Sequence, residues 1–261
     1  MTGGINIIFE ERKHYIVEKL NKYGKIYSSS LAEELGVSEV TVRSDLKKLE
    51  NLGLLKRVHG GAISLRPHRY DPQFQEQIAV DVEEKKIIAE KAVHLVEKND
   101  IIFVDSGSTT LFFTEKLLET PPLNLTVVTN SLYVINTVVQ YPEIKLVVLG
   151  GYFQYGTMNF LDLEINPFFD RYHVNKAFMG INGLDEKGYY SSTLLEAETK
   201  KLIVKASPKI YILASTSKLF RKSLVRIKDW SGSEALVTAS TDENIMKKLK
   251  ECEEEGKFTV I

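Results

Sequence analysis

The sequence has 261 residues, a formal net charge of −1 and 43% hydrophobic residues. This length allows two domains, each with a packed core. No apolar run approaches the ~20 residues of a membrane-spanning helix, and the N-terminal residues lack the pattern of a signal peptide. The single cysteine, Cys252, excludes an internal disulfide and fits a reducing compartment. A cytoplasmic location is therefore expected.

Basic residues are concentrated in the N-terminal part of the chain. Residues 1–66 contain 11 Lys and Arg against 8 Asp and Glu, a charge of +3 that leaves −4 for the remainder. From Leu46 to Arg66 there are five basic residues and one acidic residue, Glu50. A basic face on a nearly neutral protein is typical of binding to the phosphate backbone of nucleic acid. A solvated surface would give the same pattern, so charge alone leaves both interpretations open.

The first elements are two short helices with a strand between them. Apolar residues at helical spacing predict a helix over about residues 10–22. A short strand is predicted at 25–27. Ser28 or Ser29 is expected to cap a second helix over 30–35.

A glycine-centred turn leads into a third helix. Gly36 supplies the left-handed residue of the turn, and Ser38 is expected to cap a helix that ends at about Asn51. Helix, glycine turn and capped helix is the layout of helix-turn-helix DNA-binding domains.

The third helix has two different faces. Val42, Leu46 and Leu49 cluster on one side and are expected to face the core. Hydroxyl, basic and small apolar residues are assigned to DNA contact, namely Ser38, Val40, Thr41, Arg43, Ser44, Lys47 and Lys48. Arginine can bind guanine through two hydrogen bonds, hydroxyls can bind phosphate or base, and an aliphatic side chain can contact the thymine methyl group. An ordinary surface helix is the alternative.

Two β-prone runs, residues 54–58 and 62–65, follow the third helix and predict a hairpin turning around 59–61. A basic hairpin in this position is interpreted as the wing of a winged helix. Arg57 and His59 are therefore assigned to DNA contact. A purely structural role for His59 in the hairpin remains open.

The rest of the chain predicts a second, larger α/β domain. Residues 67–81 show no clear period and are interpreted as a linker, and 82–261 alternate between helix and strand. This alternation predicts a mostly parallel sheet with helices on both faces. The expected helices cover about residues 82–97, 109–119, 131–140, 160–171, 194–206 and 242–254, and the expected strands cover 101–104, 125–128, 145–149, 176–179, 209–213, 235–238 and 258–261.

A polar loop after the first strand of this domain predicts a phosphate site. It consists of Asp105, Ser106, Gly107, Ser108, Thr109 and Thr110, and it opens a helix. Small residues let backbone N–H groups converge on an anion, and the helix N-terminus adds partial positive charge. The GxxxxGK[ST] and GxGxxG motifs of nucleotide sites are missing. A simple capped turn between strand and helix would also explain this segment.

Other strand ends and one helix extend the expected site. In open α/β sheets, ligands bind at the carboxyl ends of the strands. The additional candidates for effector binding are Asn130, Gly150, Asn182, Asp185, Glu196, Lys200 and Lys218. Lys218 is expected to neutralise a phosphate, although an ordinary surface role is the alternative. No metal-ligand spacing occurs, so no metal or other cofactor is expected.

These segments together resemble the DeoR family of bacterial sugar-metabolism repressors. The stretch LAEELGVSEVTVRSDLKKLENLGLLKRVHGGAI is similar to the family's helix-turn-helix and wing, and DSGSTT, VVTNSL, FMGINGLD and LLEAETKK are similar to its sensor domain. The resemblance implies a repressor that binds double-stranded operator DNA and is controlled by a phosphorylated sugar. Because paired modules read paired half-sites, a homodimer or homotetramer is expected.

The sequence departs from the family pattern at a few positions. Ser44 replaces a common second arginine, Leu161-Asp162 replaces a common Gly-Pro pair, and Ser215 stands where an aspartate often precedes Ser-Lys. The sensor also resembles ribose-5-phosphate isomerases, but Asn182 replaces the first aspartate of their catalytic motif. Without a base and a suitably placed acid the pocket should bind a sugar phosphate and not convert it. A true isomerase and a protein-interaction module are the two competing interpretations.

Overall fold

The computed structural model describes residues 9–23, 25–64, 72–162, 168 and 173–261. The chain separates into two units, residues 1–71 and 72–261. Within these described stretches, no helix has both the length and the apolar character needed to cross a bilayer.

Over its described residues, the first unit contains three helices and a small antiparallel sheet. Its elements are α1 (Phe9–Tyr23), β1 (Lys25–Tyr27), α2 (Ser28–Leu35), α3 (Glu39–Asn51), β2 (Leu55–Val58) and β3 (Gly61–Ser64). The strand order is β1-β3-β2, so the predicted hairpin of β2 and β3 also pairs with the strand before α2. Gly61 permits this pairing, because a Cβ there would lie 1.9 Å from the carbonyl oxygen of Ile26.

The turn between α2 and α3 has the predicted chemistry. Gly36 has a φ of 63°, and the Thr41 N–H donates to Ser38 Oγ at 3.1 Å. The expected serine cap of α2 is wrong, because Ser28 is the first residue of that helix and Tyr27 precedes it without a side-chain cap. The Ser28 N–H instead donates to the Gly60 carbonyl at 2.8 Å, so the wing fixes the start of α2.

The core of the first unit lies where the helical periodicity predicts it. Val42, Leu46 and Leu49 of α3 are buried with apolar residues from α1, α2 and the sheet. The guanidinium of Arg12 also contacts the buried carboxylate of Asp45 at 2.7 Å, which ties α1 to α3. The packing of its inner face and this ion pair therefore fix the orientation of α3, so that its opposite face is presented to solvent.

The second unit is an α/β fold with a seven-stranded sheet. Its helices are α4 (Pro72–Ala79), α5 (Val82–Val93), α6 (Ser108–Glu119), α7 (Leu132–Val138), α8 (Leu194–Ala206) and α9 (Glu243–Glu254). Its strands are β4 (Ile101–Val104), β5 (Thr126–Thr129), β6 (Lys145–Val148), β7 (Tyr152–Gln154), β8 (Asn159–Leu161), β9 (Lys176–Gly180), β10 (Gly183–Leu184), β11 (Gly188–Ser191), β12 (Lys209–Leu213), β13 (Val225–Asp229), β14 (Glu234–Val237) and β15 (Thr259–Val260).

The large sheet has the order β15-β14-β12-β9-β4-β5-β6, and all its pairings are parallel. Separate apolar clusters line the sheet, one around Phe103 and Met179 and the other around Ile102 and Phe178. Because neighbouring residues of one strand point to opposite faces, these clusters are the packed helix layers on both sides of the sheet. The predicted fold class is confirmed.

Two predictions about this unit are wrong. Residues 72–79, expected within the linker, form helix α4, because Phe74 is buried and packs its ring on Tyr133 at 4.6 Å. The helix expected over 160–171 is contradicted at 160–161, which belong to β8 and pair with β7. The remaining residues of that stretch, apart from 162 and 168, lie outside the described residues.

We expect Leu49→Ala to lower the free energy of unfolding of the first unit by about 2–5 kcal/mol, because it leaves a cavity in the core. Urea denaturation of the full chain can resolve this, since far-UV circular dichroism reports both units. The single tryptophan, Trp230, lies in the second unit and reports that unit alone. Val40→Ala is the control, because Val40 is 77% exposed. Equal losses for both variants would contradict the assigned core.

Candidate DNA interface and effector cavity

The outward face of α3 presents polar and basic groups to solvent. Val40, Arg43, Ser44, Lys47 and Lys48 are exposed on α3, opposite the buried stripe. This mixture of donors, an apolar side chain and positive charge suits the major groove of DNA. The structure therefore brings these predicted residues together on one surface.

Some residues of this surface also have contacts within the protein. Ser38 caps α3 and shares a 2.9 Å hydrogen bond with Thr41, and the Lys48 ammonium lies 4.7 Å from the centre of the Phe9 ring. Arg43 donates to the Glu39 carboxylate at 2.8 Å. Sequence reasoning missed Glu39, although its spacing of four residues from Arg43 indicates an ion pair on one helix face.

The wing lies beside the N-terminal half of α3. Arg57 and His59 are exposed, and together with Arg43 they line a cleft of about 250 Å³. The backbone N–H of Arg57 donates to Glu50 Oε1 at 2.8 Å, which fastens the wing to the last turn of α3. The two arginines and the histidine form one basic surface that fits the path of a phosphate backbone.

The second unit contains a cavity of about 410 Å³. It lies past the carboxyl ends of β4, β9 and β12, where the topology of an open α/β sheet predicts a ligand site. Its lining includes eight predicted effector residues, which are Ser106, Gly107, Ser108, Thr109, Asn182, Glu196, Lys200 and Lys218.

The loop before α6 is held in a defined shape. Thr110 Oγ1 donates to the carbonyls of Asp105 at 2.7 Å and Gly107 at 3.0 Å. Ser106 Oγ accepts a hydrogen bond from the buried Asn159 side chain at 2.5 Å. These bonds fix the backbone that leads into the N-terminus of α6, so the loop is organised to receive an anion.

A buried ion cluster closes the floor of the cavity. Lys200 Nζ lies 2.7 Å from Asp105 Oδ2 and 3.1 Å from Glu196 Oε1, and it donates to the Gly180 carbonyl at 2.6 Å. Burial opposes the charge on Lys200, but the neighbouring carboxylates outweigh it and raise the pKa of its ammonium. The charges of this cluster are therefore satisfied within the protein.

Lys218 differs from Lys200. Its side chain is half-buried and lines the cavity, and within the described part of the chain its ammonium has no hydrogen bond or ion pair. Burial and the nearby Arg221 lower the pKa of Lys218, although Asp81 opposes the shift. An anion placed beside Lys218 would compensate its charge.

Sequence reasoning missed one side of the cavity. The additional lining residues are Phe74, Glu76, Gln77, Val80, Asp81, Lys85, Gly156, Thr157, Gly180, Ile181, Ser192, Leu213, Ser215 and Ser217. A signal for α4 was present, since Pro72 is a favoured first residue of a helix and Phe74 and Ile78 have helical spacing. The turn at 156–157 had no such signal, because it connects two strands of only three residues each, β7 and β8.

The family models divide the chain in the same way as the geometry. Residues 12–68 match the DeoR-like helix-turn-helix domain, and residues 80–240 match the DeoR C-terminal sensor domain. The chain belongs to the DeoR family. It is a DNA-binding transcriptional regulator and not an enzyme.

Two similar DeoR-family relatives cover nearly the whole chain. The L-fucose operon activator of Haemophilus influenzae is 32% identical over 96% of this chain and 99% of its own length. The lactose phosphotransferase system repressor of Streptococcus mutans is 33% identical over 92% of this chain and 96% of its own length. Ribose 5-phosphate isomerase A of Neisseria gonorrhoeae gives a TM-score of 0.39 at 23% identity, covering 52% of each chain, a likeness too slight to bear on function.

Five of the expected effector residues do not line the cavity of this DeoR-family protein. Asp105 and Thr110 support it from behind through the bonds described above. Asn130 is buried and donates to the Phe160 carbonyl at 3.0 Å, while its Oδ1 has no partner among the residues described. Gly150 is exposed.

Asp185, the fifth of these residues, organises the turn between β10 and β11. Its Oδ1 accepts hydrogen bonds from the N–H groups of Lys187 at 2.9 Å and Gly188 at 3.1 Å, and from the Tyr190 hydroxyl at 2.9 Å. Burial opposes its charge, but these hydrogen bonds outweigh it and hold the pKa of Asp185 below its ordinary value. The geometry therefore favours a structural role.

We expect Asp185→Asn to lower the free energy of unfolding at pH 7 by about 1–3 kcal/mol. Because folding lowers the pKa of Asp185, its contribution is present above the ordinary pKa of 3.8 and disappears as the pH falls below that value. The difference between variant and wild type should therefore shrink between pH 7 and pH values of about 3. Urea denaturation followed by tryptophan fluorescence measures it.

Asp229→Asn provides the control for this measurement. Asp229 is an exposed carboxylate on β13, which forms a small three-stranded sheet with β10 and β11. Asp229→Asn should change the free energy of unfolding only a little, both at pH 7 and at a pH of about 3. A loss for Asp185→Asn that stays constant across this pH range would show that its charge does not stabilise the turn.

Proposed function

We propose that this DeoR-family protein represses sugar-metabolism genes and that a phosphorylated sugar in the cavity controls its binding to operator DNA. The observation that carries the effector assignment is Lys218, an ammonium without a hydrogen bond or ion pair among the described residues, which lines the cavity together with the loop that opens α6. A phosphate would accept hydrogen bonds from this loop and neutralise Lys218. The remaining polar lining, including Asn182 and Ser192, offers partners for sugar hydroxyls.

The proposed DNA interface consists of α3 in the major groove and the wing on the adjacent backbone. Its residues are Ser38, Val40, Thr41, Arg43, Ser44, Lys47, Lys48, Arg57 and His59. Arg43 is assigned to base reading because its side chain is 64% exposed and its ion pair with Glu39 is a surface pair that costs little to break. Lys47 is assigned to phosphate because it lies one turn further along the same face.

We also propose that the protein acts in the cytoplasm as a homodimer or homotetramer. A single winged helix makes few base contacts, whereas two copies read two half-sites and add their binding energies. Sedimentation of the purified chain at micromolar concentration tests this, and a monomer that binds its operator tightly would contradict it.

We expect Arg43→Ala to weaken binding to the selected operator by about 1–3 kcal/mol and to relax base preference at one position. Lys47→Ala should weaken binding to all DNA sequences. It should also reduce the slope of log affinity against log salt concentration by about one. The operator is obtained by selection from a random duplex library, and affinities are measured by fluorescence anisotropy at several salt concentrations.

Lys250→Ala serves as the charge-matched control, because Lys250 is 75% exposed on α9 of the second unit. Its affinity and salt slope should equal those of the wild type. If Arg43→Ala weakened operator and random DNA by the same factor, Arg43 would be a phosphate contact. If Lys47→Ala behaved like Lys250→Ala, Lys47 would lie outside the interface.

We expect Lys218→Ala and Thr109→Val to retain DNA affinity and to lose the response to the effector. A thermal-shift screen with glucose 6-phosphate, fructose 6-phosphate and fructose 1-phosphate identifies the ligand, because binding to the native state raises the apparent stability by about 2.7 kcal/mol at a hundred times Kd. Inorganic phosphate and the unphosphorylated sugars are screened in parallel as controls.

Lys209→Ala is the control, because Lys209 is exposed at the opposite, amino end of β12. If Lys218→Ala and Thr109→Val both responded normally, the phosphate would be bound elsewhere. If both lost DNA binding without ligand, the two residues would be needed for the fold. Steady conversion of a sugar phosphate by the pure protein would contradict the sensor assignment itself.

A further inference from the structure

Helix α4 is part of the cavity but lies in the gap between the two family matches, which end at residue 68 and begin at residue 80. It contributes Phe74, Glu76 and Gln77 to the lining. It is also the first described element after residues 65–71, through which the chain connects to the DNA-binding unit. Neither family domain therefore accounts for this wall of the site.

The carboxyl end of α4 is held by a lysine from the next helix. Lys85 is 3% exposed, and its ammonium donates to the backbone carbonyls of Gln77 and Val80. The last carbonyls of a helix have no partner within the helix, so this ammonium supplies one. Within the described residues Lys85 has no ion pair as close as these two hydrogen bonds, and the Asp81 and Glu84 carboxylates stabilise its charge from farther away.

A second restraint joins α4 to the far side of the cavity. Asp81, between α4 and α5, has a φ of 54°, an unfavourable value for a residue other than glycine. Its carboxylate accepts hydrogen bonds from Ser215 at 2.8 Å and Ser217 at 2.6 Å. Ser215 precedes the short helical turn Thr216–Lys218, and Ser217 belongs to it. The same turn contains Lys218, the cation assigned to the phosphate. The bend after α4 is thus fastened to the turn that contains Lys218.

In the amino-terminal half of α4, the described contact is the packing of Phe74. Phe74 is 3% exposed and stacks on Tyr133 with an angle of 9° between the rings. The polar restraints are therefore at the carboxyl end, where Asp81 and Lys85 both line the cavity. A ligand in the cavity can reach these restraints and Phe74 itself, with the Phe74–Tyr133 ring contact as the pivot of the helix.

We propose that α4 is a ligand-responsive wall of the effector cavity, fastened by Lys85 and Asp81, whose docking transmits ligand binding to the segment that leads to the DNA-binding unit. This inference rests on the proposed function of the cavity. A dianionic ligand beside Lys218 competes with the Asp81 carboxylate for the Thr216–Lys218 turn and offers the Lys85 ammonium another partner. Binding thus favours one docking state of α4 over another, as linkage requires.

Hydrogen-exchange mass spectrometry of the full chain tests the restraint without a ligand. In Lys85→Met, amides of residues 73–80 should exchange about five- to tenfold faster than in the wild type, because the helix end loses its partner. Lys85→Arg should restore part of the protection. Lys91→Met is the matched control, because Lys91 is on the same helix and donates to the Thr238 carbonyl at 2.8 Å, away from the cavity. Equal exchange of residues 73–80 in Lys85→Met and Lys91→Met would overturn the proposal.

The second arm repeats the measurement with the sugar phosphate that gives the largest thermal shift. In the wild type, exchange over residues 73–80 should change on binding. In Lys85→Met, at ligand concentrations that saturate the variant, the ligand should change operator affinity at least about threefold less. If the ligand bound and exchange over α4 did not change, α4 would be a static wall, and the proposed function would stand without this inference. If no sugar phosphate shifted the melting temperature, the proposed function and the ligand response of α4 would both fail, while the Lys85→Met comparison would still decide whether the restraint exists.

Discussion

The sensor site is built around the contacts of one buried group, the ammonium of Lys200. It joins the ends of β4 and β9 to α8 by binding Asp105, the Gly180 carbonyl and Glu196. Removing one member of such a cluster leaves an uncompensated charge in a region of low dielectric, which typically costs about 3–5 kcal/mol. The cavity is therefore rigid at its floor, and both of its floor carboxylates, Asp105 and Glu196, share the Lys200 ammonium before a ligand arrives.

This internal compensation determines what the cavity can bind. Because Asp105 and Glu196 are paired with Lys200, they repel an incoming anion less than two free carboxylates would. Lys218 remains as the cation of the lining without an internal partner among the described residues. A cavity with a fixed floor, a lysine without an internal partner and a wall held by two polar restraints suits the proposed binding of a phosphate and a change of shape on binding.

The sequence predicts regular features well and long-range contacts poorly. The face of α3 follows from a helical period, and the position of the cavity follows from the rule that ligands bind at strand ends. The role of Asp105 could not be assigned in this way, because its partner Lys200 is brought close only by the fold. The role of Asp185 depends on how the turn at Lys187 and Gly188 folds back onto its carboxylate. Helix α4 was missed because its burial depends on Tyr133, about sixty residues away, and eight residues give a weak period.

The order of the strands has a consequence for how the protein is made. The sheet places β9 between β4 and β12 and takes β15, at residues 259–260, as its last strand. Its pairings thus join segments that leave the ribosome far apart in time, whereas the internal contacts of the first unit join residues within 1–71. During synthesis the DNA-binding unit can fold while the sensor unit is still incomplete. A nascent chain therefore passes through an interval in which it has a DNA-binding surface and no means of regulating it.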